Sequence, residues 1–162
     1  MSVSAAEFRQ VLSRWASGVS IVTTQGSSGK SGTTVSAFTS VSLEPPLILI
    51  CFDQASQTLA TIAQSRRFCV NILSEGQQEL SNRFAKPASD DERFAGVVLQ
   101  EEVAAGPRLA GAVACLDCDL DSEFVAGDHQ ILIGRVVQTR LGEGRPLLYF
   151  RGGYCALAPG AG

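Results

Sequence analysis

The chain contains 162 residues, of which 45% are hydrophobic and 18% are charged, and it carries a formal net charge of −3 at pH 7. This balance predicts one soluble globular domain over residues 1–162. The chain has no basic run and no apolar run of the ~20 residues that a membrane helix needs, so we expect neither a nucleic-acid nor a membrane partner. It has no recognisable signal peptide, and its five cysteines are an odd number, so we expect a reduced protein in the cytoplasm.

The first predicted elements are a helix and a strand. Ser4 and Glu7 match a capping box, and apolar residues then recur at helical spacing, which predicts a helix over residues 5–16. The β-branched run at 19–24 predicts a strand. The segment G-S-S-G-K-S-G at 26–32 is typical of a hairpin turn. It is not a phosphate-binding loop, because Thr24 stands where that motif needs a glycine.

A hydroxyl-rich strand over residues 33–41 comes next, and Pro45 and Pro46 end it. Polar side chains on a strand normally face water, but short hydroxyls in this number are also suited to hydrogen bonding with the edge of a ring ligand or with a phosphate. The continuous apolar run at 47–52 predicts a strand that is buried on both faces.

The rest of the chain is predicted to be mostly strands. We expect short helices over 56–63 and 80–84, the second capped by Ser74 and Gln77, and a surface loop over 86–94. Further strands are predicted at 68–73, 97–103, 147–150 and 154–157, and residues 112–124 and 130–141 form a long hairpin. Many short strands with few helices favour a mainly β fold, a closed barrel, over a doubly wound sheet.

Two further patterns contain residue types that can carry chemistry. Cys115 and Cys118 are spaced C-x-x-C within a predicted strand, where positions three apart face opposite sides, so we expect structural thiols and no metal site. His129, the single histidine, follows Asp128 at a predicted turn. From the residues alone it is either a polar loop residue or a residue that faces a pocket.

A set of motifs spread over nearly the whole chain resembles the short-chain flavin reductases. The motifs are F-R-Q-V-L-S-R-W-A-S-G-V-S-I-V-T-T, G-T-T-V-S-A-F-T-S-V-S-L-E-P-P-L-I-L-I-C-F-D, F-C-V-N-I-L, R-F-A, R-F-A-G-V, G-D-H and L-L-Y-F-R-G-G-Y. The resemblance implies a homodimeric, Greek-key, FMN-binding split β-barrel with a few short flanking helices. It also implies reduction of FMN or FAD by NAD(P)H, with the reduced flavin released to a flavin-dependent monooxygenase.

The resemblance also implies where flavin binds. Backbone amides along 34–37 would face the pyrimidine end of the ring, residues 56–58 would hold the phosphate, and residues 83–85 would lie against the phosphate or adenylate. The residues implied to contact flavin are Thr33, Thr34, Val35, Ser36, Ala37, Phe38, Ser40, Cys51, Phe52, Asp53, Ser56, Gln57, Thr58, Arg83, Phe84 and Ala85.

The residues implied to contact the nicotinamide are His129, Arg151, Gly152 and Tyr154. Hydride transfer from nicotinamide to flavin N5 needs stacking and no general base, so we expect His129 to orient the nucleotide and no residue to act as acid or base. Few basic residues lie near this face, which favours NADH over NADPH. The resemblance leaves the choice between FMN and FAD open, because members of the family use either flavin. Two alternatives remain: a flavin-binding electron-transfer protein, and a reductase with tightly bound flavin that acts on another acceptor.

Overall fold

The computed structural model describes residues 3–158 and residue 160, which form four helices and twelve strands. No helix in this part of the chain is long and apolar enough to cross a bilayer. The helices are α1 (Ala5–Leu12), α2 (Gln57–Ser65), α3 (Gln78–Ala85) and α4 (Asp90–Phe94). The strands are β1 (Ser17–Gly18), β2 (Ser20–Gly26), β3 (Gly29–Val35), β4 (Phe38–Leu43), β5 (Pro46–Asp53), β6 (Arg67–Ile72), β7 (Leu99–Val103), β8 (Gly106–Leu109), β9 (Ala114–Ala126), β10 (His129–Leu141), β11 (Leu148–Phe150) and β12 (Gly153–Cys155). The predicted mainly β architecture is confirmed.

Seven strands form one antiparallel sheet in the order β3-β2-β6-β9-β10-β5-β4. Its two edge strands, β3 and β4, are consecutive in the chain and are separated only by Ser36 and Ala37. Because a link of two residues spans only a few ångströms, the sheet has to curl until its edges meet. The described strands therefore form a barrel that is closed by a covalent link and not by a complete ladder.

The interior of the barrel is apolar. Helix α2 covers one end and contributes Leu59 and Ile62 to the core. Either Ser56 or Thr58 was expected to cap this helix, and the structure has Ser56 as the cap, with its hydroxyl accepting a hydrogen bond from the Leu59 amide (3.4 Å). The buried core consists of Val22, Val35, Ile48, Ile50, Phe52, Leu59, Ile62, Phe68, Val70, Cys118, Leu120 and Leu132.

A second apolar cluster lies between the barrel and α3. Phe84 at the end of α3 is fully buried there. Strand β3 approaches it so closely that a Cβ on Gly32 would lie 2.9 Å from the Phe84 ring. The Thr34 hydroxyl donates to the Ser81 carbonyl (2.7 Å), and the Thr33 hydroxyl donates to the Phe84 carbonyl (3.3 Å). These two hydroxyls therefore fix α3 against the barrel.

Buried polar contacts attach the β7–β8 ribbon to the sheet. Arg108 is only 2% exposed. It forms an ion pair with buried Asp117 of β9 and a second one with Glu101 (2.7 Å). The amide oxygen of buried Asn71 accepts a hydrogen bond from the Leu109 amide (2.8 Å). Because each buried group has a partner, the ribbon is stabilised in one position.

The predicted placement of Cys115 and Cys118 on opposite faces of one strand is confirmed. Cys115 packs with Cys69 beneath the β7–β8 ribbon, whereas Cys118 lies in the barrel core. Burial raises the pKa of the Cys118 thiol to about 12. All five cysteines are free. Cys115 and Cys118 thus lie on opposite faces of β9.

Helix α1 is shorter than predicted. Its Ser4–Glu7 capping box is present, but the helix ends at Leu12 and not at residue 16. The Ser13 hydroxyl donates to the Gln10 carbonyl (2.8 Å), and the chain then continues as a turn in which the Trp15 amide donates to the Leu12 carbonyl (3.0 Å). Hydroxyls that bond to nearby carbonyls compete with helical hydrogen bonds, which accounts for the early end.

Two strand predictions were wrong. The strand expected over 33–41 is interrupted, because Val35 pairs with Ser20 of β2 whereas Phe38 pairs with Ile50 of β5. The run at 47–52 does form a strand, but it is not buried on both faces. Only alternate residues of β5 are buried, since one face lies in the core and the other is partly exposed.

The region after α3 was also predicted incompletely. The segment expected to be a loop over 86–94 contains α4, which begins with a capping box between Ser89 and Glu92. The predicted contact between Ser74 and Gln77 is present, since the Gln77 side chain accepts a hydrogen bond from the Ser74 amide (2.9 Å). The regular helix, however, begins only at Gln78, and within the described residues no side chain caps its first turn. Strand β8 was not predicted. It begins at Gly106, whose positive φ of 138° and contact with the β2 backbone leave no room for a side chain.

Candidate functional site

Three cavities meet at Ser36, in the link that closes the barrel. The ribbon cleft, of about 280 Å³, is lined by Thr33, Thr34, Val35, Ser36, Ala37, Cys51, Phe52, Asp53, Ser56 and His129. The tyrosine cleft, also of about 280 Å³, is lined by Val19, Thr34, Ser36, Ser81, Asn82, Ala85, Tyr149, Gly152 and Tyr154. The apolar groove, of about 780 Å³, is lined by Phe8, Arg9, Leu12, Ser13, Trp15, Ser17, Ser36, Ala37, Phe38, Thr39, Leu49, Tyr149, Phe150, Arg151 and Gly152.

The barrel link presents main-chain groups to these cavities. The Ala37 carbonyl accepts from the Cys51 amide (3.1 Å), and the Ser36 carbonyl accepts from the Phe38 amide (3.0 Å). Neither Ser36 nor Ala37 belongs to a ladder, and their amide groups donate no backbone hydrogen bond within the described residues. Ser36 and Ala37, which line the ribbon cleft, thus each carry an N–H donor without a backbone acceptor.

The other side of the ribbon cleft is formed where β5 ends and α2 begins. The Asp53 carboxylate accepts a hydrogen bond from the Ala55 amide (2.8 Å), which shapes the turn that leads to Ser56. The first amides of a helix have no intrahelical acceptor, and the helix dipole is positive there. This end of the cleft is therefore suited to an anion such as a phosphate.

His129 is placed by the long hairpin. It begins β10 opposite Asp53 of β5, and its ring nitrogen Nδ1 lies 2.8 Å from the Asp128 carboxylate. This hydrogen bond and the nearby imidazole lower the pKa of Asp128. The arrangement leaves Nε2 as the ring nitrogen that can contact a ligand in the ribbon cleft.

Gln54 connects two loops of the site and was not among the residues predicted from the sequence to contact a ligand. Its side-chain amide donates to the Gly127 carbonyl (2.8 Å), and its backbone amide donates to the Asp128 carbonyl (3.2 Å). These bonds tie the turn before His129 to the loop before Ser56. Gln54 belongs to no motif. Its position between the predicted site residues Asp53 and Ser56 is the only sequence signal that could have identified it.

Tyr154 closes the tyrosine cleft on the opposite side. Its hydroxyl lies 2.9 Å from Ser81 Oγ and 3.0 Å from Asn82 Oδ1, and its ring packs edge-on against Tyr149 with centroids 5.5 Å apart. The adjacent loop is held by the Arg151 amide, which donates to the Ser13 carbonyl (2.9 Å). The Tyr154 ring is thereby fixed beside the barrel link.

The structure brings most of the predicted site residues together around Ser36, but five side chains lie elsewhere. Thr58 and Phe84 are fully buried, and the Thr58 hydroxyl lies 3.1 Å from Ser31 Oγ. Arg83 donates to the Ala95 carbonyl (2.8 Å) on the surface. Gln57 lines a different cavity, and Ser40 lines none of the three described here. The structure shows where the predicted residues lie, and the binding role of every one of them remains a prediction.

Comparison with known proteins identifies the family. A family model described as "Flavin reductase like domain" matches residues 12–158. The reductase component of a 4-nitrophenol 4-monooxygenase/4-nitrocatechol 2-monooxygenase from Rhodococcus opacus is 41% identical over 154 residues, which cover 95% of this chain and 82% of that protein. An FMN reductase (NADH), RutF, from Klebsiella pneumoniae is 37% identical over 153 residues, 94% of this chain and 93% of that protein.

Solved structures agree with the sequence relatives. An NADH:FAD oxidoreductase from Streptomyces globisporus, crystallised with NAD and FAD fragments, superposes with a TM-score of 0.88 at 34% identity. The match covers 97% of this chain and 94% of that one. The fold is therefore a Greek-key split β-barrel, as the resemblance implied. The chain belongs to the flavin reductase family.

Proposed function

We propose that this chain transfers hydride from NADH to FMN or FAD in the ribbon cleft and releases the reduced flavin to a partner monooxygenase. The observation that carries the proposal is the barrel link, where two unpaired backbone amides lie at the meeting point of three cavities. The family, and relatives whose names give them as an FMN reductase (NADH) and as the reductase component of a monooxygenase, support it.

The protein's groups fit a flat, electron-accepting ring. Flavin supplies the hydride acceptor at N5. The amides of Ser36 and Ala37 would donate to the pyrimidine edge of the ring and stabilise the negative charge that reduction places there. Because these donors are fixed by the ends of β3 and β4, they need little reorganisation during the reaction. Ser56 and the first turn of α2 would hold the phosphate.

The nicotinamide side is assigned to His129 and the loop that carries Gly152 and Tyr154. Hydride transfer depends on the distance and alignment of two rings, so these residues would orient the nucleotide and exclude water. No proton has to be abstracted in that step. The described site accordingly needs no acid–base pair, and His129 with its Asp128 partner serves as a contact for the nucleotide.

We further propose that two copies of the chain associate through the apolar groove. Helix α1 contributes no buried residue, and the exposed fractions are 57% for Phe8, 52% for Leu12 and 79% for Trp15. Exposed apolar surface of this kind is typical of an interface. Because the groove meets the ribbon cleft at Ser36, dilution that dissociates the dimer should weaken flavin binding. Equal flavin affinity in a demonstrated monomer would contradict this arrangement.

The five free thiols also support a cytoplasmic location.

The proposal is tested by combining the purified protein with each flavin and each nicotinamide nucleotide. We expect oxidation of NADH that depends on added FMN or FAD, accompanied by oxygen consumption through free reduced flavin. No turnover in any of the four combinations would overturn the proposal. Tight flavin retention without NADH oxidation would indicate an electron-transfer protein. A rate that needs a second acceptor but no added flavin would indicate a bound prosthetic group.

Thiol labelling provides a test of the ribbon cleft that does not depend on turnover. Cys51 lines this cleft and is partly buried, and desolvation raises the pKa of its thiol. Its alkylation should therefore be slow at neutral pH and faster in alkaline buffer. Flavin at ten times its Kd should slow the labelling of Cys51 by about tenfold, because only free protein reacts. Mass spectrometry of iodoacetamide-treated protein measures this rate.

Exposed Cys155 lines none of the three cavities and is the internal control. Its labelling rate should not change with flavin. Protection of neither thiol at saturating flavin would show that flavin binds elsewhere. Protection of both would indicate a general conformational change and not occupancy of the ribbon cleft.

Replacing His129 by alanine should impair nucleotide binding more than chemistry. We expect His129→Ala to raise the KM for NADH by about tenfold and to change kcat by no more than about twofold. Asp128→Asn keeps the imidazole but weakens its charged hydrogen bond, so its effect on KM should be smaller. Steady-state kinetics at saturating flavin measures both. Complete loss of hydride transfer with normal NADH binding would contradict the orienting role.

A further inference from the structure

The turn that precedes His129 is held by a residue outside it. Strands β9 and β10 are joined by a turn of two residues, Gly127 and Asp128. The side-chain amide of Gln54 donates to the Gly127 carbonyl (2.8 Å), and its backbone amide donates to the Asp128 carbonyl (3.2 Å). Gln54 thus binds both carbonyls of this turn, and the function proposed above gives it no role.

We propose that Gln54 is a positioning residue that holds His129 where it contacts the nucleotide in the ribbon cleft. The proposal rests on the function proposed above, in which His129 makes that contact. The β5–β10 ladder ends where Asp53 pairs with His129. Gln54 follows Asp53 directly, so its two hydrogen bonds extend the attachment of the hairpin one step beyond the last ladder pair.

The His129 ring is oriented through the turn. Its Nδ1 lies 2.8 Å from the Asp128 carboxylate, and Asp128 belongs to the turn that Gln54 binds. The side chains are 47% exposed for His129 and 94% exposed for Asp128, so packing does little to fix them. The position of the turn backbone therefore decides where the carboxylate lies and how the imidazole is oriented.

The side-chain hydrogen bond is the part of this attachment that a substitution can remove. It acts on Gly127, which has a positive φ of 65°, and glycine loses more conformational entropy on being fixed than any other residue. Without the Gln54 amide, the Gly127 carbonyl would bind water and the turn would occupy a wider range of positions. A less well-placed imidazole should weaken nucleotide binding and leave the hydride-transfer step unchanged, because that step depends on the two rings.

The flavin side of the cleft has its own hydrogen bonds. The Asp53 carboxylate accepts from the Ala55 amide (2.8 Å), and the Asp53 carbonyl accepts from the Ser56 amide (3.0 Å). These bonds lie within the loop and do not involve the Gln54 side chain. A substitution of Gln54 should therefore affect the binding of the nucleotide and not that of the flavin.

The kinetics of three variants test this role. Gln54→Met keeps the length of the side chain and removes the amide. It should raise the KM for NADH by about fivefold, with kcat changed by less than about twofold and the Kd of flavin unchanged. Gln54→Lys restores a donor of similar reach and should keep the KM within about twofold of that of the unmodified protein. The control is Gln64→Met, which should change nothing, since Gln64 is exposed in the last turn of α2 and lines none of the cavities of the site.

A second substitution shows whether Gln54 acts through His129. In a His129→Ala background, Gln54→Met should not raise the KM further, because both changes remove the same contact. The same increase in both backgrounds would indicate a merely structural role and overturn the proposal. So would an unchanged KM in Gln54→Met alone, or a loss of flavin affinity as large as the rise in KM.

A spectroscopic measurement provides a test that does not depend on turnover. His129 is the only histidine of the chain, so its imidazole proton signals can be followed directly by NMR. Gln54→Met should shift or broaden these signals, whereas Gln64→Met should leave them in place. Unchanged signals in Gln54→Met would contradict the positioning role. Absence of turnover in the unmodified protein would refute the proposed reductase activity, and the imidazole signals would still decide whether Gln54 positions His129.

Discussion

Ser36→Trp should abolish flavin-dependent NADH oxidation while leaving the protein folded. Ser36 is exposed and lines all three cavities, so a tryptophan there would fill the space where they meet without entering the core. We expect kcat/KM for flavin to fall by at least about a hundredfold, which corresponds to about 2.7 kcal/mol. Steady-state kinetics and flavin titration by fluorescence quenching measure the loss.

Ser27→Trp is the control for this substitution, because it adds the same side chain to an exposed turn outside the three cavities. It should keep the turnover of the unmodified protein. Ser36→Gly provides a second comparison, since it retains the backbone amide and removes only the hydroxymethyl group. Near-normal activity of Ser36→Gly would agree with main-chain recognition. Full activity of Ser36→Trp would place the flavin elsewhere.

Asp117→Ala should cause the largest loss of stability among single substitutions of ion-paired residues. The side chains of Arg108 and Asp117 are only 3% and 5% exposed. The hydrogen bond with the Asp117 carboxylate raises the pKa of Arg108. Because a guanidinium is protonated in proteins even without such a partner, Arg108 stays charged when the carboxylate is removed. Removing one partner from a buried ion pair costs about 3–5 kcal/mol. Because Glu101 still pairs with Arg108 (2.7 Å), we expect the free energy of unfolding to fall by about 3 kcal/mol, the lower end of that range. Urea denaturation followed by circular dichroism measures it.

Asp119→Ala is the matched control on the same strand. Asp119 pairs with Arg67 at 3.3 Å, but its side chain is 36% exposed and that of Arg67 is 53% exposed. Exposed pairs contribute about 0–1 kcal/mol, so the loss should be small. The double variant Arg108→Met/Asp117→Leu removes both charges and should recover part of the stability. Equal effects of Asp117→Ala and Asp119→Ala would contradict the assigned role of burial.

The sequence predicted the elements that depend on local pattern. Spacing and turn chemistry predict the capping box at Ser4, a short helix near Ser56, and the long hairpin whose turn precedes His129. The resemblance to flavin reductases assigned residues 33–38 and 51–58 to one flavin site. The structure brings residues 33–37, 51–53 and 56 into one cleft, because β4 pairs with β5 and the Ala37 carbonyl accepts a hydrogen bond from the Cys51 amide.

What the sequence did not predict depends on contacts between distant segments. The strand is interrupted after Val35 because β3 pairs with β2, whereas β4 pairs with β5. No local sequence pattern indicates this change of pairing partner. The hydroxyls of Thr33 and Thr34 suggested a ligand, but both donate to carbonyls of α3. Gln54 became visible as a link to the turn before His129 only when the two loops were seen together.

The two-residue span between β3 and β4 also limits how this protein can diversify. A longer link would allow the two edge strands to separate and would also displace Ser36 and Ala37. Closure of the barrel and the placement of the two backbone amides would therefore be lost together. Hairpin ends such as Ser27–Ser28 do not join the margins of the sheet. Extra residues introduced by evolution or by engineering should therefore accumulate at these ends and be absent from positions 36–37.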